Sequence, residues 1–129
     1  DIDFQSVYND FVRCNDAAWL LTQNRNNKRK LVFDNQDNFI GRLNIETEEY
    51  DGDISIENDF KLLSFSGLHL IKPQYFSSLE LRKCYVFDIS RDIAKYNNVK
   101  SRFIQPNYWF DLGTQEQLEE ASSWLSYQE

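Results

Sequence analysis

Methionine is absent from this sequence, and histidine occurs once, at His69. A lone imidazole excludes a histidine-rich metal cluster and any triad built on a second histidine. His69 itself reads as a partly buried structural residue before a catalytic one. The two cysteines, Cys14 and Cys84, lie far from metal-type spacing. They read as buried or idle thiols of a reduced, cytoplasmic protein, with a disulfide between them left open. The four glycines, Gly41, Gly52, Gly67 and Gly113, are too scattered for a glycine-rich phosphate loop. No apolar run reaches membrane-spanning length and no signal-peptide pattern opens the chain, so no membrane partner is expected. The start at Asp1, within three residues of a helical pattern and with no methionine, points to a piece of a longer chain.

What is present is acidic and aromatic. With 14 basic and 21 acidic residues the formal charge is −7, which argues against nucleic acid or an anionic membrane as the main partner. Ten Phe, seven Tyr and three Trp suffice to fill a core or line a cleft, and composition does not choose between them. Positive charge gathers once, at Arg25, Lys28, Arg29 and Lys30, and reads as a solvated loop or strand end before a phosphate site. A length of 129 residues suits one domain.

Phe4, Val7, Tyr8, Phe11 and Val12 recur at helical spacing behind Asp3, a good N-cap. Residues 17–23 suit a buried strand, and residues 30–33 and 39–45 a hairpin around the polar turn 34–38. The acidic stretch 46–59 reads as an exposed loop, and 61–71 as a long strand with Gly67 inside it. Pro73 opens a short helix anchored by Phe76 and Leu79. Asp88 caps a helix to about Tyr96, with Ile89, Ile93 and Ala94 inward. Residues 99–105 and 108–112 read as strands. Thr114, with Gln117 three residues on, caps a last helix whose stripe is Leu118, Ala121 and Leu125. The order implies an α/β fold, a mixed sheet with flanking helices.

Two stretches carry chemical information. In Trp109-Phe110-Asp111-Leu112-Gly113-Thr114 a carboxylate sits at the end of an apolar strand, just before a glycine turn and a capped helix. Carboxylates there commonly face the ligand crevice of an α/β sheet. The competing reading is a turn residue that binds backbone N–H groups. In Phe65-Ser66-Gly67 through Pro73 to Phe76, the internal glycine marks either a close approach by a ligand or a bulge. Trp19, Trp109 and Trp124 read as core, and Tyr108 as core or ligand platform.

Together these stretches resemble the bacterial sugar-1-phosphate nucleotidyltransferases. The pattern is nearest to the N-acetylmuramate-1-phosphate uridylyltransferases and the mannose-1-phosphate guanylyltransferases. The family's Trp-x-Asp-Val-Gly-Thr-x-Glu-x-Leu-x-x-Ala segment is matched at Trp109, Asp111, Gly113, Thr114, Glu116, Leu118 and Ala121, with Leu112 for the valine. Asp1-Ile2-Asp3-Phe4 is similar to the residues just after the family's first metal-binding aspartate. The resemblance spans essentially the whole chain. It implies the C-terminal, sugar-binding half of a Rossmann-like nucleotidyltransferase domain over residues 1–129.

By that resemblance, Asp111 is the second of two aspartates that hold Mg²⁺, and Ser66 and Gly67 lie against the sugar. Arg42 and Asn44 fall in the region of the sugar-phosphate contacts. The substrates implied are an NTP and a sugar 1-phosphate, joined to an NDP-sugar with release of pyrophosphate. The family's glycine-rich, Arg-containing loop and its first metal aspartate have no counterpart here, so the chain alone is expected to be inactive. The alternative is a non-catalytic sugar-binding or interaction module, with self-association through exposed sheet edges in either case.

Overall fold

The computed structural model describes residues 1–52, 59–77 and 79–128. It contains α1 (Phe4–Arg13), β1 (Ala18–Gln23), β2 (Arg29–Phe33), β3 (Phe39–Asn44), β4 (Glu49–Asp51), β5 (Lys61–Ile71), α2 (Val86–Ala94), β6 (Val99–Phe103) and α3 (Gln115–Ser126). The strands form one mixed sheet in the order β4-β3-β2-β5-β1-β6. Among the described residues only β1 and β6 run parallel; the other pairings are antiparallel. The chain is therefore mixed α/β. Among the described residues no helix is long and apolar enough to cross a membrane.

β5 belongs to both halves of the sheet. Lys61 to Leu63 pair with β2, and Ser64 to Ile71 pair with β1. Within the β1 pairing the register slips: Leu20 faces His69, whereas Thr22 faces Phe65. Gly67 sits in the slip with φ +91°, a left-handed backbone that an L side chain resists. No atom lies within 4 Å of the position its Cβ would take, so the conformation, not crowding, calls for glycine. Gly41 is the opposite case. A Cβ there would lie 2.7 Å from the Tyr50 ring, which lies over the strand and donates its hydroxyl to Ile40 O.

Each sheet face has its own apolar layer. Ala18, Leu20, Leu31, Phe33, Phe39 and Val99 pack with Ile93 of α2, flanked by Phe65, Phe87, Ile89 and Ala94. On the other face Val7 and Phe11 of α1 cover Trp19 and Leu21. Asp3 caps α1 as expected, its carboxylate accepting from Ser6 N–H at 3.0 Å. Phe4, Tyr8 and Val12 nevertheless stay exposed, because only the Val7–Phe11 edge meets the sheet.

The hairpin turn reaches the far edge of the sheet. Asp34 Oδ1 accepts from Gln36 and Asn38 N–H, both at 2.9 Å. Burial pushes this carboxyl up, but the hydrogen bonds from Asn38 and Gln36 and the charge of Lys100 outweigh it and hold it below its ordinary value. The fixed turn presents Asp37 O to Ser101 N–H of β6 at 2.9 Å, and Asn38 bridges Lys100. The outer edge of β6 is thus partly covered. At the opposite edge β4 has three residues. Asp51 there joins Arg42 of β3 at 2.7 Å and Arg91 of α2 at 2.5 Å.

Several expected elements are revised. β4 lies inside the expected 46–59 loop, where Tyr50 gains cover by lying over Gly41; residues 53–58 are outside the described set. α2 begins after Tyr85, and Asp88 is its third residue, accepting from Tyr85 N–H at 3.1 Å. The segment after Pro73 is one 3-10 turn, with Phe76 exposed. Residues 108–112 pair with no strand. In α3, Leu118 and Leu125 are exposed and Ala121 is buried, so its contact face is rotated from the expected stripe. Cys84 is exposed and Cys14 half-buried, and both are free thiols.

His69 lies on the α2 face of β5, its Nε2 3.3 Å from Ser90 Oγ. Burial lowers its pKa from 6.5 to about 4. The ring is thus neutral in the fold but protonates in the unfolded chain below 6.5. Unfolding then takes up a proton between those two values, and stability falls as pH drops through that window. Urea denaturation should show wild type losing about 2 kcal/mol more than His69→Gln between pH 7.5 and pH 5. Equal losses in the two proteins would refute the buried neutral ring.

Candidate functional site

β1 and β6 end side by side, so the segments leaving them lie outside the carboxyl ends of the only parallel pair. Ligand crevices of α/β sheets form at such ends. Here they enclose a cleft of about 490 Å³. Arg25, Lys28 and Arg29 form one wall, and Trp109, Phe110 and Asp111 the other. Asn26, Asn27 and, from α3, Gln117 and Glu120 complete the lining.

Aromatic contacts explain why 108–112 is no strand. Tyr108 and Phe110 turn to α3, with ring centroids 4.3 and 5.5 Å from Trp124. Trp109 points the other way and donates its indole N–H to Ser66 O at 3.2 Å. The slip at Gly67 thus leaves a strand carbonyl free for a side chain. Over the Trp109 ring lies the Arg25 guanidinium, 3.9 Å from the centroid. Such a stack contributes about 0.5–2 kcal/mol, more as water is excluded.

Arg25 also donates from Nη2 to Phe65 O at 3.3 Å, while its buried Nε has no partner among the described residues. Burial lowers its pKa, and attraction to Asp111 opposes that shift. Yet Arg25 and Asp111 form no ion pair. Beneath Arg25, Lys30 donates to Arg25 O and, at 2.8 Å, to Ser64 Oγ. Its pKa is lowered too, first by burial and then by Arg25. Among the described residues neither cation is salt-bridged, although seven such bridges occur elsewhere. Partly buried positive charges without a carboxylate are costly, and that marks a place suited to an anion.

The sequence-predicted residues separate into two groups. Asp111, Ser66 and Gly67 come together around Trp109. Asp111 is exposed, and its Oδ1 accepts from Gly113 N–H at 3.1 Å, the turn geometry of the competing reading. Its place on the cleft wall leaves both readings in force. Asn44 pairs with Arg29, but its Oδ1 is occupied by Glu46 and Thr47 N–H at 3.0 and 3.3 Å. Arg42 does not line the cleft; it is committed to Asp51 and lies beside the Phe87 ring at 5.3 Å. Among the described residues no group of three His, Cys, Asp or Glu could hold a metal ion.

Arg25 is the residue that sequence reasoning passed over, because it was grouped with its basic neighbours. Lys28 does behave as a solvated cation, paired with exposed Glu46 at 2.8 Å. The signal that singles out Arg25 is its place two residues after a strand that is buried throughout, the same argument that singled out Asp111.

No protein-family model matches the chain, and no curated protein matches it.

The Asp111 wall depends on the start of α3. Thr114 Oγ1 accepts from Gln117 N–H at 3.3 Å, and Gln117 Oε1 accepts from Thr114 N–H at 3.0 Å. Thr114→Ala should destabilise α3 by about 1 kcal/mol. Amide exchange in Gln115–Ser126 should then accelerate about fivefold while β1 and β5 stay unchanged; unchanged exchange in α3 would show that the cap does not hold it.

Proposed function

We propose that the chain is the sugar-side part of a Mg²⁺-dependent sugar-1-phosphate nucleotidyltransferase, acting with a nucleotide-holding part outside these residues. The observation that carries the reading is Arg25, partly buried and without a salt bridge among the described residues, lining the same cleft as Asp111, with Lys30, likewise unbridged, behind it. Such a lining suits a phosphate: Arg25, Lys28 and Arg29 supply positive charge, and Asp111 would be the carboxylate that holds a metal ion.

In this reading Asp111 is the one carboxylate here that would hold Mg²⁺. Mg²⁺ takes one or two carboxylates and keeps several waters. Asp111 offers an exposed carboxylate whose second oxygen accepts no hydrogen bond among the described residues, and its first is oriented by Gly113 N–H. The side chain of Asp1 accepts from Asn107 N–H at 2.8 Å and so ties α1's approach to the segment that carries Asp111. When bound, the ion neutralises phosphate charge.

In this reading a sugar-phosphate oxygen attacks the α-phosphorus of the NTP, a new P–O bond forms, and pyrophosphate leaves. No protein nucleophile is required, and positioning with charge neutralisation supplies the acceleration. Arg25 holds and orients the phosphate. The indole of Trp109 keeps the guanidinium in place and shields it from water. Ser66 and Gly67 do not line the cleft; Ser66 reaches it only through its carbonyl, which accepts from the Trp109 indole N–H.

The test uses the full protein that contains this chain. Asp111→Asn should lower Mg²⁺-dependent pyrophosphate release at least about 100-fold. Arg25→Ala should raise the KM for sugar 1-phosphate about tenfold or more. Undiminished turnover in Asp111→Asn would refute the catalytic reading. Sugar-phosphate binding without any turnover in the wild type would favour a non-catalytic binding module.

A further inference from the structure

The cationic wall is held from behind. Arg25 O accepts from Asn27 N–H at 3.1 Å, from Ser64 Oγ at 3.1 Å and from the Lys30 ammonium. Ser64, fully buried, is also 2.7 Å from Asn27 Oδ1 and receives Lys30 at 2.8 Å. Asn27 in turn donates to Arg29 O at 2.8 Å. Two strands, β2 through Lys30 and β5 through Ser64, therefore converge on one carbonyl of the segment that carries Arg25.

Holding a loop does not by itself call for an ammonium. A neutral amide or hydroxyl donor would reach the same oxygen without desolvating a charge beside a guanidinium. No carboxylate bridges Lys30 among the described residues, and Arg25 adds repulsion. A positive charge kept under those conditions is explained if it serves an anion bound above it. It fixes the Arg25 backbone and adds its positive charge beside the cleft.

We propose that Lys30, acting with Ser64, is a positioning residue for the anion-holding wall of the cleft: it sets the Arg25 backbone so that the guanidinium rests on Trp109, and its charge strengthens anion binding there. This rests on the proposed function of the same cleft. Lys30 acts through Arg25, not by contact with the ligand.

The test titrates inorganic phosphate into the 129-residue chain, followed by the Trp109 indole N–H and Arg25 guanidinium NMR signals. The wild type should bind phosphate with shifts at both. Lys30→Met should weaken binding at least about tenfold and shift the Trp109 signal before any phosphate is added. Lys30→Arg, which keeps charge and donors, should restore most of the affinity. Ser64→Ala should weaken binding several-fold with the charge intact, and it carries the test if Lys30→Met does not fold. Wild-type affinity and an unmoved Trp109 signal in the folded variants would overturn the positioning role and leave the proposed function standing. A wild type whose cleft signals ignore phosphate would overturn both.

Discussion

The fold depends on one strand being shared. β5 pairs with β2 along its first residues and with β1 along the rest, and among the described residues no other strand pairs with both halves. The change of partner falls at Ser64, and the slip in register comes next, at Gly67. Ser64 and Ser66 are consequently pinned inside the sheet yet adjoin the segments beyond β1 and β6. The cleft is a by-product of this junction: Ser64 supports Arg25 from below, and Ser66 offers its carbonyl to Trp109. Rigid backbone thus reaches each wall through one hydrogen-bonded side chain, an arrangement that keeps a site on loops from drifting.

Much of the fold was legible wherever local chemistry decides the structure. Asp3 and Thr114 cap helices because an oxygen two or three residues before an orphan N–H has few better partners. The strand ending at Gln23 was legible because a continuous apolar run of that length has little choice but burial. What escaped depends on distant partners. β4 exists because Tyr50 finds Gly41 to lie over, a match no window around residue 50 displays. Of the expected stripe of α3, Ala121 is buried but Leu118 and Leu125 are not, because Trp124 instead meets Tyr108 and Phe110. Tyr108 to Leu112 has a strand's composition, but its rings are claimed by α3 and Arg25 before any ladder forms.

The candidate site was half legible. Asp111, Ser66 and Gly67 stood out by pattern, and the fold brings their segments together. Arg42 and Asn44 were chosen by approximate position, and each has a local obligation: Arg42 to Asp51, Asn44 to the turn it closes. Arg25 was hidden because charge runs are read as groups. Within this one, Lys28 is solvated, Lys30 is partly buried and Arg25 is stacked on an indole. Only tertiary structure separates three such fates for residues so close in sequence.

The clasp of Asp37 O on Ser101 N–H bears on how the chain assembles. Hairpin β2–β3 is local and can form as soon as residue 44 is present. β1 must wait for β5 on one side and, for its parallel partner, until β6 arrives near the end of the chain. Loop-closure entropy makes such late, non-local pairings the slow part of folding. The preformed turn, with Asp34 fixing its shape, gives β6 a second edge to meet on arrival. The last strand therefore docks into a slot with donors and acceptors on both sides, and the interval during which a bare apolar strand edge is open to other chains is shortened.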